Sequence, residues 1–343
     1  MKKILVIDFH DANINGGVAK FNRNLFGVLK DKFNILHGCF FNTNKIFFNE
    51  NIVWKVFNYI TGYRIPALYF KFLIDKEKPD ICIVNYPVLA RYIKNNSLVK
   101  LILIQHQSVD ILLSNRANLR TIKNKYAEIK KYEKIIVFTN KDKQDFLDNF
   151  IIDNRKIEVI PHMVNFPIGS YKNISNKKIL MLARLDNNQK RFDLAISIMG
   201  ILKDFKLSIY GDGKDKGKIQ KLISRSKCKN IELYPYSDDV VSIYDQHDYH
   251  LMVSDFEGFG LTNIEAISRG LPIIVRDTFS AAEFLCKDCG ALVSSNANQN
   301  DIANIILEID DNYLQYSRGA IARAKEYSSD TYRRKWLSFL NQL

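Results

Sequence analysis

Several things are missing from this 343-residue chain. No apolar stretch approaches the roughly 20 residues needed to cross a bilayer. The start, Met1-Lys-Lys-Ile-Leu-Val-Ile-Asp8, has too short an apolar run for a signal peptide and reads as a first strand. A cytoplasmic location is the default expectation. Cysteine is scarce, and its five positions are odd in number and scattered: Cys39, Cys82, Cys228, Cys286 and Cys289. Cys286 and Cys289 have CxxC spacing, but no second pair completes a zinc site and no strand-to-helix setting suits a redox motif. Reduced thiols without a function are expected. No short repeat recurs, and no RNA- or DNA-binding module is recognisable. No Ser–His or Cys–His arrangement offers a nucleophile.

What is present is charge, unevenly placed. Residues 1–170 hold 26 Lys+Arg and 15 Asp+Glu, which is +11; the remainder holds 24 and 22, which is +2, and together they make the net +13. A basic first half suits an anionic partner such as nucleic acid, lipid or a charged substrate. A merely solvated, lysine-rich surface fits nearly as well. The length exceeds one ordinary core and suits two domains.

Strand-like runs alternate with helical patterns. The first set is Lys3–Asp8, Phe33–Gly38, Asp80–Asn85, Leu101–Gln105, Ile135–Thr139 and Ile157–Ile160. A helix is expected from about Val18 to Lys30, and the aromatic-rich stretch 47–74 is expected to be mostly helical. The second set is Lys178–Ala183, Lys206–Gly211, Ile231–Tyr234, His250–Val253, Ile273–Val275 and Ala291–Val293. The segment 161–176 carries Pro161, Pro167 and Gly169 with weak periodicity and reads as a linker. The expectation is two doubly wound Rossmann-like α/β domains facing a cleft, because such sheets bind ligands at the carboxyl ends of their strands.

The richest segment is Ser254-Asp-Phe-Glu257-Gly-Phe-Gly-Leu-Thr-Asn-Ile-Glu265-Ala-Ile-Ser-Arg-Gly270. Two carboxylates flank a glycine turn that opens a helix. A helix start binds anions, since its first N–H groups lack partners. Carboxylates beside an anion make sense if they face hydroxyls. An anion and several hydroxyls in one pocket describe a nucleotide sugar. Arg184 ends a strand and Lys190 lies near the next helix, so both can face that crevice as phosphate ligands; local ion pairs with Asp186 or Asp193 are the plainer use. Gly16 and Gly17 lie between the first strand and helix, and Gly211 ends another strand; each allows close backbone approach or is a plain turn. His106 follows a strand directly and is the best placed of six histidines, with His162 second. No Asp-x-Asp pair occurs, so the usual carboxylate clamp for a divalent ion is missing and metal-independent chemistry is expected.

Together these features resemble the retaining glycosyltransferases of family 4, with the GT-B fold. The match rests on Glu257-x7-Glu265 followed by a small residue, Gly and Pro, on Arg184 and Lys190 six apart, on Gly16-Gly17, and on His106. The resemblance implies domains at 1–165, binding acceptor, and 166–320, binding a nucleotide sugar, with a helix at 321–343 packing back on the first. It implies that Arg184 and Lys190 hold the diphosphate, Glu265 the ribose and Glu257 the transferred sugar. The backbone of Gly258, Phe259, Gly260 and Leu261 would line the pocket. His106 would bond the sugar near its reacting carbon, and Gly16 and Gly17 would approach phosphate or acceptor. The implied reaction moves a hexose or N-acetylhexosamine, most commonly from UDP, to a cell-surface glycan or lipid-linked acceptor by front-face attack with no cofactor. Two positions depart from the family: His162-Met163 replaces a frequent Asn-Gly, and Tyr236 replaces a frequent Gly. A basic stretch from Asn115 to Lys134, with Leu119, Ile122, Tyr126 and Ile129 at helical spacing, suggests peripheral contact with anionic lipid, although packing on the sheet explains the apolar stripe better. A nucleic-acid-binding protein and a sugar-nucleotide epimerase are the alternatives. The first leaves Glu257 and Glu265 without a use, and the combination of Arg184, Lys190 and both acids favours a transferase.

Overall fold

The computed structural model describes residues 1–10, 16–41, 64–87, 99–108 and 126–343. The chain forms two compact units: residues 1–162 with 332–343, and residues 163–331. The sequence reading places the divisions after 165 and 320.

The first unit holds a parallel sheet of β1 (Lys3–His10), β2 (Asn34–Phe41), β3 (Ile81–Val84), β4 (Lys100–Ile104), β5 (Lys134–Val137) and β6 (Ile157–Val159), in the order β2-β1-β3-β4-β5-β6. Short, continuous apolar runs suit strands covered on both faces; Ile81–Val84 is buried at every residue. Helix Gly17–Leu29 follows β1, and helix Arg64–Glu77 precedes β3. The part of the 47–74 expectation before residue 64 lies outside the described residues. The helix Ser329–Asn341 supplies Trp336, fully buried and 6.2 Å from the Phe21 ring. Its Arg333 donates to the Asp31 carboxylate at 2.9 Å.

The amphipathic stretch needs a correction over its visible part. Residues 126–131 form a turn and a short 3-10 helix, Ile129–Lys131, instead of continuing an α-helix. Tyr126 and Ile129 are buried in the sheet's core. The rest of that stretch, through residue 125, lies outside the described residues.

The second unit repeats the design with β7 (Lys178–Leu182), β8 (Lys206–Tyr210), β9 (Ile231–Tyr234), β10 (Tyr249–Met252), β11 (Ile273–Arg276) and β12 (Gly290–Val293), in the order β12-β11-β10-β7-β8-β9. Each sheet grows outward in both directions from its first strand or a neighbour. The strand order therefore reverses between β1 and β3 in one sheet, and between β7 and β10 in the other. Loops diverge at those points and leave a crevice at the strands' carboxyl ends.

Cys286 ends the helix Ala282–Cys286, and Cys289 immediately precedes β12. Both thiols are buried and free. Burial pushes both thiols up, Cys289 to about 12, which keeps them protonated and poorly nucleophilic.

Candidate functional site

In the second unit the reversal point gathers most of the expected residues. The chain leaves β7 through Ala183 and Arg184, turns, and forms one helical turn, Asn187–Lys190. Across the crevice it leaves β10 through Ser254 to Glu257. Lys190 forms an ion pair with Glu257, and both side chains are largely buried. The plainer pairings expected for Lys190 are taken by other residues. Asp186 binds Lys214 at 2.9 Å and Asp193 binds Arg191 at 3.1 Å. Arg184 donates to Gln189 Oε1 at 3.0 Å.

Gln189 ties the two loops together. Its side-chain amide donates to the Phe256 carbonyl at 3.0 Å, and its own carbonyl accepts from the Asp255 N–H at 2.8 Å. Asp255 is also held by Arg276 at 2.6 Å and Arg191 at 3.1 Å. The backbone bearing Glu257 is thus fixed by a network that sequence spacing does not reveal.

Beyond Glu257, Gly258 leads to Phe259, which is buried near Tyr327 with ring centroids 6.1 Å apart. Gly260 has φ +76° and precedes helix Leu261–Ser268. A Cβ there would lie 2.9 Å from the Asn263 amide and 3.1 Å from the Phe279 ring, so glycine is required on both counts. The helix has no side-chain cap and no acid in its first turn. Its start therefore keeps the positive end of the dipole unneutralised. One turn in, Asn263 is fully buried and bonds the His250 ring at 3.1 Å.

Glu265 points inward from the same helix. It is buried and accepts from the Tyr244 hydroxyl at 2.9 Å. Burial, with the Glu265 charge beside it, raises the Tyr244 hydroxyl well above its usual range, so Tyr244 stays a donor. Tyr244 was not foreseen, because its helix Val240–Asp245 lies far away in sequence.

Gly211 makes its close approach to its own chain. A Cβ would sit 2.0 Å from the Ala183 carbonyl oxygen, and one on Gly213 would sit 2.6 Å from that of Leu185. These glycines let the loop after β8 lie directly on the loop that carries Arg184.

The first unit has a second cluster at its own reversal point. Asp8 is in β1, Asn85 follows β3, His106 follows β4, and Asn22 faces them from helix Gly17–Leu29. Asn22 Nδ2 donates to Asp8 Oδ2 at 2.7 Å. Asn85 Nδ2 reaches the same oxygen at 3.3 Å and Asn22 Oδ1 at 3.1 Å. His106 Nε2 meets Asn85 Oδ1 at 2.9 Å. Asp8, Asn22 and Asn85 are all buried. Burial holds His106 down at about 3, so it is neutral near pH 7. His162 is buried against Phe138, ring centroids 3.9 Å apart, and is also held well below its ordinary range by burial, with His106 and Lys20 adding to the shift. Gly16 and Gly17 are exposed at the helix start, where a Cβ on either would meet nothing among the described residues. Packing does not demand them, unlike Gly211 and Gly260. The signal for Asp8 and Asn85 was weak: each is only a polar residue at a strand end.

No helix among the described residues is long and apolar enough to cross a membrane.

Comparison with known proteins adds the following. Residues 170–327 match the family model described as "Glycosyl transferases group 1". The chain is 29% identical over 188 residues to a poly(glycerol-phosphate) alpha-glucosyltransferase of Bacillus subtilis, covering 53% of this chain and 28% of that one. It is 29% identical over 217 residues to a poly(ribitol-phosphate) alpha-N-acetylglucosaminyltransferase of Staphylococcus aureus, covering 60% and 43%. The chain thus spans less than half the length of either relative. A sucrose-phosphate synthase of Thermosynechococcus elongatus superposes over 100% of this chain and 99% of its own, with a TM-score of 0.81 at 15% identity. The chain accordingly has the two-domain α/β GT-B fold, and the match to the glycosyl transferases group 1 model falls within its second unit.

Proposed function

We propose that the chain is a retaining glycosyltransferase that moves a hexose or N-acetylhexosamine from a nucleotide sugar, UDP-linked, to a cell-surface glycan or lipid-linked acceptor. The observation that carries the reading is the arrangement around helix Leu261–Ser268. An uncapped helix start stands beside the Lys190–Glu257 pair, with Glu265 buried on the same helix. Anion, hydroxyl and cation ligands are thereby concentrated at the reversal point of one sheet. The family match and the activities named for the two relatives support it.

In this mechanism Arg184 and Lys190 bind the diphosphate. When phosphate takes Lys190, Glu257 is released to accept from hydroxyls of the sugar. Glu265, already accepting from Tyr244, also accepts from the ribose. The backbone from Gly258 to Leu261 lines the phosphate and sugar. His106 bonds a substrate hydroxyl, and Gly16 and Gly17 leave open space for an anionic or acceptor group. Attack from the face that the leaving phosphate departs needs no enzymic nucleophile, and the phosphate takes the acceptor's proton. The cations and the helix dipole offset leaving-group charge, so no metal is required. Transfer assays across UDP- and GDP-sugars, with and without EDTA, test all of this. Turnover of a UDP-sugar unaffected by EDTA is expected. No binding of any nucleotide sugar would overturn the reading, and EDTA-sensitive turnover would overturn the metal-independent part. Peripheral contact of the basic first unit with an anionic membrane belongs to the same proposal. Co-sedimentation with vesicles should then rise with their anionic lipid content, and indifference to that content would remove it.

A further inference from the structure

We infer that Asn85 is a positioning residue which, with Asn22 and Asp8, locks His106 into the Nε2–H tautomer, leaving Nδ1 as a bare acceptor for a substrate hydroxyl. The inference follows from which atoms can donate. An ionised carboxylate only accepts. Asp8 Oδ2 accepts from Asn22 Nδ2 at 2.7 Å and from Asn85 Nδ2 at 3.3 Å, the arrangement that a carboxylate acceptor requires. Turning either amide over would set oxygen against oxygen. With its nitrogen committed to Asp8 and to Asn22 Oδ1, Asn85 can present only Oδ1 to the histidine. The His106 atom 2.9 Å away must therefore carry a hydrogen, and that atom is Nε2.

A neutral imidazole holds one hydrogen, so Nδ1 has none. Nδ1 has no hydrogen-bond partner among the described residues. The ring cannot turn over freely, because Phe21 meets it edge-on at 5.1 Å and Phe138 packs at 5.6 Å. The sense of the hydrogen bond is thus relayed from the Asp8 acceptor oxygen through two amides to one ring nitrogen. Such outer partners commonly fix which nitrogen of a histidine is available. The consequence for chemistry is specific: at neutral pH His106 accepts from a hydroxyl at Nδ1 and does not act as a cationic acid. The hydroxyl's identity rests on the transferase reading above; the tautomer does not.

The test is a two-bond 1H–15N correlation spectrum of the full chain labelled with 15N-histidine at pH 7, with His106 assigned by His106→Gln. The expected pattern is a single tautomer, Nε2 protonated and Nδ1 bare. Asn85→Leu should convert it to a mixture. In a nucleotide-sugar assay the same variant should lower kcat by about tenfold or more, the scale on which second-layer partners act, while KM for the donor changes far less. An Nδ1–H or doubly protonated His106 in the wild-type chain would overturn the inference, as would an unchanged tautomer in folded Asn85→Leu. The wild-type spectrum decides the matter even if the variant fails to fold. A correct tautomer without nucleotide-sugar turnover would fault the transferase reading alone.

Discussion

At the scale of single residues, the two acids of the glycine turn have different surroundings and therefore different expected behaviour. Glu265 is buried and accepts from Tyr244, and Glu257 is held by a cation. Replacing Glu265 by Gln keeps the volume and a hydrogen bond to Tyr244 but removes the charge. Donor binding measured by calorimetry should weaken about 10–100-fold, since a hydrogen bond to a charged group contributes roughly 1.5–3 kcal/mol, and circular dichroism should show the fold intact. Wild-type affinity in Glu265→Gln would remove the ribose role. The Lys190–Glu257 pair allows a cycle. Lys190→Met leaves a largely buried carboxylate without its cation, so Lys190→Met/Glu257→Gln should be more stable to urea than Lys190→Met by about 1–3 kcal/mol. Equal stabilities would show the pair to be unimportant. Sequence spacing picks out Glu257, Glu265, Arg184 and Lys190, because motif residues sit at strand ends and helix starts. It does not show that Lys190 prefers Glu257 to Asp193, since that choice depends on loops 67 residues apart.

At the scale of elements, glycine marks where the backbone must do something a side chain forbids. Gly260→Ala places a Cβ against Asn263 and Phe279 at φ +76°. Backbone strain of this kind costs about 1–3 kcal/mol, so thermal unfolding should occur at lower temperature, and anion binding at the start of helix Leu261–Ser268 should weaken with it. An unchanged melting temperature and unchanged donor affinity would contradict the tight-turn account. The central strands were readable because the sheets are parallel and these strands are buried throughout, as in Ile81–Val84, Tyr249–Met252 and Ile273–Arg276, which makes each a compact run; the edge strands Ile231–Tyr234 and Gly290–Val293 are buried only in part. The short helices were less so. Asn187–Lys190 is a single turn, too short to show periodicity. Ile129–Lys131 belongs to a stretch whose apolar spacing looks helical, yet Tyr126 and Ile129 are buried there because they pack on the sheet.

At the scale of the molecule, burial of histidines sets an acid limit. His250 is 1% exposed and burial holds it at about 3. His106 is held down likewise, and His162 lies well below its ordinary range. In the unfolded chain histidine titrates near 6.5. As pH falls below that value the unfolded state binds protons that the folded state refuses. Stability is therefore complete above about pH 6.5 and declines toward about pH 3. The slope is at most about 1.4 kcal/mol per pH unit for each such group. Melting temperatures measured from pH 7 to 4.5 should fall, and His250→Gln should flatten the decline relative to wild type. Parallel curves for the two proteins would rule out His250 as a contributor.

The sequence by itself determined the succession of strands and helices and the duplicated α/β plan, and it marked Glu257, Glu265, Arg184, Lys190 and His106 as candidates, because these depend on local pattern and on residue type at strand ends. Only the tertiary structure decided which strands adjoin, and so where each sheet reverses. Those reversals bring Asp8 to Asn85, and Lys190 to Glu257, across long intervals of chain. Burial and hydrogen-bond geometry, which set the state of His106 and Tyr244, exist only once those distant segments have packed.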